Sequence, residues 1–537
     1  MRYLICAFML ISAGLLSAVN NMPLLTTMAG EFPGAALGWS TCSIDFNGDG
    51  IKDLVALERH WNPDGVYNSS FGRYGRILFY WGGTDFDNEA DASINGEYHR
   101  QYGSGWIQNV GDVNNDGFED LCYWGGESGQ NKICIFYGRQ NPFASPDFTL
   151  LFPASEVQQI GNLYPMGDIN NDGHADIGYV LISAAPHSPA KMRVLDGASL
   201  LVTDLYSVLW GGQSSSIRGI GDVNNDGIDD YHVQRTLSDT DNTHSWLSVH
   251  FGSNEFPSTD SLLISPDTNS LIVPLGCPLG DVNGDGIDDF ASFINYEGVK
   301  VWFGSTDLTA QWDVALPVLS YGGYAWGVFV NGDFNNDGFG DIVTSDYIYG
   351  GRDGIAYLWM GGSQFNSTVD LVLYAPPGGV GEWYGYCMAT GDFNNDGFCD
   401  LAISEPYCAS GALWTSGKIH VYMGNAQLED TTVDIDDPTA PAIDSAQWDY
   451  SIYPNPMAKD FAEINFDFYG EGYKELQELY LELFNIKGQK LFAGAIPANM
   501  IKDGKWSVNI GSLPTGVYLA KIIAGTKVIN AKKFTLK

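Results

Sequence analysis

The sequence predicts an all-β chain: a seven-bladed β-propeller, with a calcium loop in the first hairpin of each blade, followed by a small C-terminal β-sandwich. Three observations predict it. An acidic pattern, Asp-x-Asn-x-Asp-Gly-x-x-Asp, starts at Asp45, Asp112, Asp168, Asp222, Asp281, Asp333 and Asp392, at intervals of 67, 56, 54, 59, 52 and 59 residues. A short apolar or alternating run follows every copy, for example DLVAL at 53, DIGYVL at 176 and DLAIS at 400. Two further short runs complete each period: one usually ends in Gly, and the other precedes the next repeat. Four strands per repeat at such a period is the blade of a propeller.

Within each copy the residue types point to a hard cation. Clustered carboxylates repel and resist burial unless a cation joins them. Side-chain oxygens stand at positions 1, 3, 5 and 9, a main-chain carbonyl at 7, and Gly at 6 permits the turn. All-oxygen ligands in a flexible loop suit Ca²⁺ better than Mg²⁺, and zinc would want Cys or His. The expected ligand sets are Asp45, Asn47, Asp49, Ile51 and Asp53; Asp112, Asn114, Asp116, Phe118 and Asp120; Asp168, Asn170, Asp172, His174 and Asp176; and Asp222, Asn224, Asp226, Ile228 and Asp230. The last three blades supply Asp281, Asn283, Asp285, Ile287 and Asp289; Asp333, Asn335, Asp337, Phe339 and Asp341; and Asp392, Asn394, Asp396, Phe398 and Asp400. Position 7 contributes only its carbonyl, His174 included. An EF-hand is excluded, because position 12 is never Glu and the flanks read as strands.

The third strands read RILFYWGG, KICIFYG, SWLSVHFG, VKVWFG, IAYLWMGG and KIHVYMG, with MRVLDG departing in blade three. DFTLLFP, DSLLISP, WDVALP and VDLVLYAPP are fourth strands. Two closures of the ring are open. TTVDIDDP resembles a fourth strand and would complete blade seven from its C-terminal side, or MPLLTT at 22–27 lends that strand from the N-terminus.

Composition sets the compartment. The chain has 537 residues and a net charge of −39; residues 1–449 hold 15 basic and 57 acidic residues, and 450–537 hold 11 and 8. So acidic a surface argues against nucleic acid or an anionic membrane as partner. Arg2, the apolar run Tyr3 to Leu16, and Ser17-Ala18 make residues 1–18 an expected signal peptide. No later segment is long and apolar enough to span a membrane as a helix. With Cys6 in the signal, seven cysteines remain. Cys122 and Cys134 flank GGESGQ and are either a hairpin disulfide or two buried thiols.

Gly-Asp-Val/Phe-Asn-x-Asp-Gly-x-x-Asp with a trailing Phe/Tyr-Gly resembles the FG-GAP repeats of integrin α-subunit propellers and of many secreted bacterial proteins. The resemblance covers roughly residues 25–437 and implies calcium in each hairpin loop. The Gly before position 1 is Ile44 in the first repeat, and the Gly-Ala-Pro of the family is poorly kept.

Residues 438–449 read as a linker and 450–537 as a separate module, with strands AEINFDF, LYLELFNI, WSVNIG, GVYLAKI and AKKFTLK and a turn at Lys487-Gly488. Tyr453-Pro454-Asn455-Pro456, Asn485 to Lys490, and Leu513 to Tyr518 closely resemble the type A C-terminal sorting domain of type IX (Por) secretion. That resemblance implies passage through the periplasm to the outer cell surface of a bacterium or beyond it, by way of the type IX machinery.

Function is sought on the face opposite the calcium loops, where strands two and three connect. Those turns are short in blades two and five but long in blades one (Glu58–Gly75), six (Ser345–Gly354) and seven (Ser404–Gly417), which become neighbours once the ring closes. They carry the candidate ligand-binding residues Trp61, Tyr67, Tyr74, Tyr347, Tyr349, Tyr407 and Trp414, with Arg59, Arg73 and Arg352. Packing of each long loop on itself is the competing reading. A second set, Trp39, Trp106, Trp326 and Trp383, precedes the acidic motifs and is expected to pack between blades, with stacking on a ligand as the alternative. His60 and His99 belong to no catalytic motif, and neither a nucleophile elbow, a zinc signature nor a phosphate loop is present. The expectation is an exported calcium-binding propeller, not an enzyme, that binds an extracellular glycan or protein. A secreted polysaccharide-degrading lyase or hydrolase and a structural surface-layer component are the alternatives.

Overall fold

The seven acidic repeats each begin a four-stranded antiparallel sheet in the computed structural model. The structure describes residues 21–428 apart from 66–72, 98–100, 104, 128–129, 143–144, 154–156, 184–189, 209–215, 239–242, 259, 269–276, 295–297, 317–328, 377–382 and 409–414; beyond 428 it describes the strands between 448 and 536. Two compact units result, residues 1–433 and 434–537.

Blade one shows the common plan. Leu37–Ile44 runs into the acidic loop, Asp53–Glu58 returns, Arg76–Tyr80 follows, and Ala92–Asn95 closes the outer edge. Strand two is buried along its length because it is flanked within its sheet and packed on both faces by neighbouring blades. First strands pack side by side around a central axis, blade one touching both blade two and blade seven. The ring is therefore closed. Its latch is the N-terminal strand Leu24–Ala29, which pairs antiparallel with Lys418–Tyr422 of blade seven in the register Thr26 to Val421 and Met28 to Ile419. This is the second of the two closures considered above; TTVDIDDP lies outside the described residues. The signal segment and Trp326 lie outside them too, as do Tyr67, His99, Trp414 and the Lys487-Gly488 turn.

A repeated hydrogen bond explains why each third strand ends in Gly. Oδ1 of the position-9 Asp accepts the N–H of that glycine in all seven blades, from 2.7 Å at Gly304 and Gly361 to 3.1 Å at Gly424. A Cβ on any of these glycines would stand 2.3–2.5 Å from the carbonyl oxygen of position 8. No side chain fits there, so the repeat keeps a glycine even in blade three, where the aromatic before it is Asp196.

The described cysteines are free thiols, five of them buried. Cys134 pairs with Tyr123 and Cys122 with Ile135, so the two thiols point to opposite faces of their sheet. The hairpin disulfide is thereby ruled out, and the buried-thiol alternative holds. The C-terminal unit has two sheets. One holds Trp448–Tyr453, Glu463–Gly470 and Lys505–Asn509; the other runs Lys490–Ile496, Leu479–Asn485, Gly516–Ala524, Lys527–Leu536. Leu481, Leu483, Ile496, Tyr518 and Ala520 are buried there. Trp448–Tyr453 and Lys490–Ile496 are strands the sequence reading omitted. Among the described residues, no helix is long and apolar enough to cross a membrane.

Candidate functional site

The acidic loops fold alike. In every copy the position-5 N–H donates to Oδ1 of position 1 at 2.9–3.1 Å. The position-6 N–H donates to the other oxygen of the same carboxylate at 2.7–3.0 Å. Asn at position 3 accepts the same position-5 N–H, and position 5 accepts the N–H of position 7, as in Asp226 to Asn224 (2.9 Å) and Ile228 to Asp226 (3.0 Å). These nested turns curl the loop around its own side-chain oxygens.

The position-9 carboxyl beneath them is buried in all seven blades. Burial raises its pKa to about 7, and to about 8 at Asp341; the carboxylates at positions 5 and 1 push it further the same way. Among the described residues, no three His, Cys, Asp or Glu side chains already gather into a cation cage. The donors are nevertheless all hard oxygens held on one short loop, and their mutual repulsion is of the kind a divalent cation relieves. In the chemistry of the donors and their spacing along the loop the residues fit calcium.

The opposite face carries a different constellation. Blades six, seven, one and two send aromatic rings to one end of the central channel, and Tyr386 is their hub. Its ring centroid lies 5.1 Å from that of Trp39, 5.9 Å from Trp106, 5.3 Å from Tyr347 and 5.3 Å from Trp383. Tyr407 stands edge-on to Trp383 at 4.5 Å and to Trp39 at 6.1 Å. Burial raises the Tyr347 hydroxyl to about 12 and lifts Tyr386 higher still, so both remain neutral donors.

Cations frame these rings. The Arg59 guanidinium lies 3.7 Å from the Trp39 ring centroid and Arg352 lies 5.7 Å from that of Trp383. Arg59 also donates from Nε to the Gly103 carbonyl at 3.3 Å. Burial lowers its pKa from the ordinary value, with Arg73 adding to the effect and Tyr386 opposing it.

Below the aromatic mouth a cavity of about 830 Å³ follows the axis of the ring. Trp106, Tyr347 and Tyr386 line it, with Ser40, Thr41, Ser43, Asn109, Tyr164 and Arg218. Thr41 and Ser43 hydroxyls are buried and have no hydrogen-bond partner among the described residues. Lys52 and Glu119 stand in the part of the lining that belongs to the acidic-loop face, paired at 2.7 Å. Glu119 also accepts the Asp45 N–H at 2.6 Å and Asn109 at 3.2 Å.

The structure brings together some of the loop candidates and not others. Tyr347, Tyr407, Arg59 and Arg352 meet at the mouth, joined by the interblade set Trp39, Trp106 and Trp383. Trp61 instead lies under Arg76 at 5.5 Å, and its carbonyl accepts the N–H of Tyr74. Tyr349 is exposed and lies near Tyr357 and Tyr374 of its own blade. The self-packed reading thus describes part of the blade-one loop, while the mouth is built across blades. His60 is buried on the Gly34 carbonyl at 3.0 Å, and burial with Arg73 and Arg59 lowers its pKa to about 4. Tyr386 and Arg218 went unnoticed in the sequence. The first had a signal in the aromatic run Trp383-Tyr384-Gly385-Tyr386, but Arg218 sits in a strand with none.

Fold and site together define an all-β repeat propeller with an appended export module, and comparison with known proteins agrees. Residues 451–537 match the family model of the secretion system C-terminal sorting domain. This module directs the chain through type IX secretion to the cell surface or the medium. The propeller is similar to integrin α chains, for example integrin alpha-4 of Xenopus laevis, 26% identical over 171 residues, which are 29% of this chain and 15% of that protein. It is also similar to phosphatidylinositol-glycan-specific phospholipase D of Rattus norvegicus, 32% identical over 145 residues, or 24% of this chain and 17% of that protein. The chain thus spans under a fifth of either relative. Among solved structures, PorZ, a surface component of the type IX secretion system of Porphyromonas gingivalis, aligns at TM-score 0.34 and 11% identity over 90% of this chain and 58% of its own.

Proposed function

We propose that this protein is a binding protein of the cell exterior, whose propeller is held by calcium and takes a glycan or protein ligand at the aromatic mouth. The observation that carries this reading is the convergence of Trp39, Trp106, Tyr347, Trp383, Tyr386 and Tyr407, from four blades, over one end of the axial cavity. Aromatic rings with arginine between them are what binding anchors are made of. Calcium at the seven loops serves stability: each ion would be held by the position 1, 3, 5 and 9 side chains and the position-7 carbonyl. A screen of the secreted chain against glycans and surface proteins tests the reading. Saturable binding that disappears in Tyr347→Ala supports it, and binding untouched by that substitution contradicts it.

A second reading, an enzyme working in the same cavity, draws on a relative that is itself a phospholipase. Acid–base chemistry needs a convergent pair of groups. The cavity lining holds one carboxylate, Glu119, and three partners already occupy it. Turnover of the screened polysaccharides would favour this second reading.

A further inference from the structure

We infer that the mouth takes the end of a carboxylate-bearing saccharide chain, which enters along the propeller axis with its acid group on the arginines and its rings on the aromatic wall. This rests on the reading of the mouth as the binding site and names the chemistry of its ligand.

The first argument is charge. Residues 1–449 carry 57 acidic side chains against 15 basic ones, so a cation on this surface has carboxylates to choose from. Arg76, Arg193 and Arg139 each take one: Arg76 pairs with Glu58 at 2.5 Å, Arg193 with Asp204 at 2.5 Å, and Arg139 with Asp147. Arg59, Arg73 and Arg352 pair with none among the described residues. The Nε of Arg73 is buried without a hydrogen-bond partner there. Arg59 and Arg352 lie instead against Trp39 and Trp383, which orients their planes and leaves fork donors for a planar anion. Arg59 is half-buried with no carboxylate beside it among the described residues, and a carboxylate on the ligand offsets the cost of that burial.

The second argument is the lining. Half-buried faces of Trp106, Tyr347 and Tyr386 suit the C–H faces of sugar rings, and the half-buried polar side chains of Gln108, Asn109 and Thr390 line the same cavity. A polyhydroxylated ring meets both kinds of surface at once. An acidic peptide brings the carboxylate without the ring hydroxyls. The cavity volume, about 830 Å³, is in the range of about 300–1,000 Å³ that small-ligand sites occupy. It lies along the axis of the ring of blades, so a chain enters by its terminus.

Titration calorimetry of the secreted chain tests this with four probes: trigalacturonate, its methyl ester, neutral galactotriose and hexaglutamate. Trigalacturonate should bind at least tenfold more tightly than the other three. Arg59→Gln and the exposed Arg352→Gln should each erase most of that margin, with melting curves showing that the variants fold. Equal affinity for the ester or for galactotriose overturns the acidic assignment; tighter binding of hexaglutamate overturns the saccharide, and no binding of trigalacturonate overturns both. Trp106→Ala separates these failures from failure of the site. Where any probe binds, its loss in Trp106→Ala retains the mouth as the site, and undiminished binding places the site elsewhere.

Discussion

Trp39 and Tyr386 stand with ring centroids 5.1 Å apart, although one belongs to the first blade and the other to the approach to the seventh. Ring closure makes them neighbours, and the N-terminal strand is what closes the ring. Leu24–Ala29 fills the outer edge of blade seven, and Gly30 and Leu37 bond to Gly417 and Ser416 beside it. Deleting residues 21–29 should therefore expose a strand edge, lower Tm strongly and promote self-association. Scanning calorimetry and light scattering read the two effects.

Calcium should contribute much of the stability. Extracellular sites of this class bind with Kd of about 0.1–1 mM. At tenfold excess each would add ~1.4 kcal/mol, and seven independent sites up to ~10 kcal/mol. That rivals the whole stability of a typical domain, about 5–15 kcal/mol. Chelator should lower Tm markedly, and Ca²⁺ should restore it where Mg²⁺ does not.

Without calcium, stability should depend on pH in a particular sense. Folding raises the position-9 aspartates from near 4 to about 7, or about 8 for Asp341, chiefly by burial. The folded state then binds more protons than the unfolded state between those values, so stability falls as pH rises. In chelator, Tm should be higher at pH 5 than at pH 8. With saturating calcium the order should reverse, because protons compete for the ligand oxygens.

The sorting domain should be dispensable for folding of the propeller. A chain ending near Asp437 keeps every strand of the seven blades. It should fold in the periplasm and stay there, whereas the full chain reaches the exterior. Fractionation and immunoblotting give the answer, and truncated chain outside the cell at normal levels would refute the assignment.

The blades were legible in the sequence because each constraint is repeated seven times. Gly304 illustrates it: a Cβ there would meet the Asp288 carbonyl oxygen at 2.3 Å, and the same clash recurs in every blade. The latch was less legible, since LLTTMA reads as a strand without saying which partner it takes. Position 8 was not legible at all. It is variable, yet Glu119, Asp229 and Asp288 each accept the N–H that opens the acidic loop of the preceding blade. Tyr386 was missed because its partners come from three other blades, and such contacts have no local periodicity to reveal them.

The measurement closest to the central claim compares one substitution on each face for ligand affinity and for Tm. Tyr347→Ala, at the mouth, should cost about 2 kcal/mol or more of binding if it is a true anchor. Its two lost ring pairs should each take about 0.5–1.5 kcal/mol of stability beyond the apolar area uncovered, so affinity is read below the variant's own melting transition. Asp226→Ala, in the blade-four acidic loop, should lower Tm and leave affinity nearly unchanged below the melting transition. Binding that survives Tyr347→Ala, or falls only where the protein unfolds, would contradict the account.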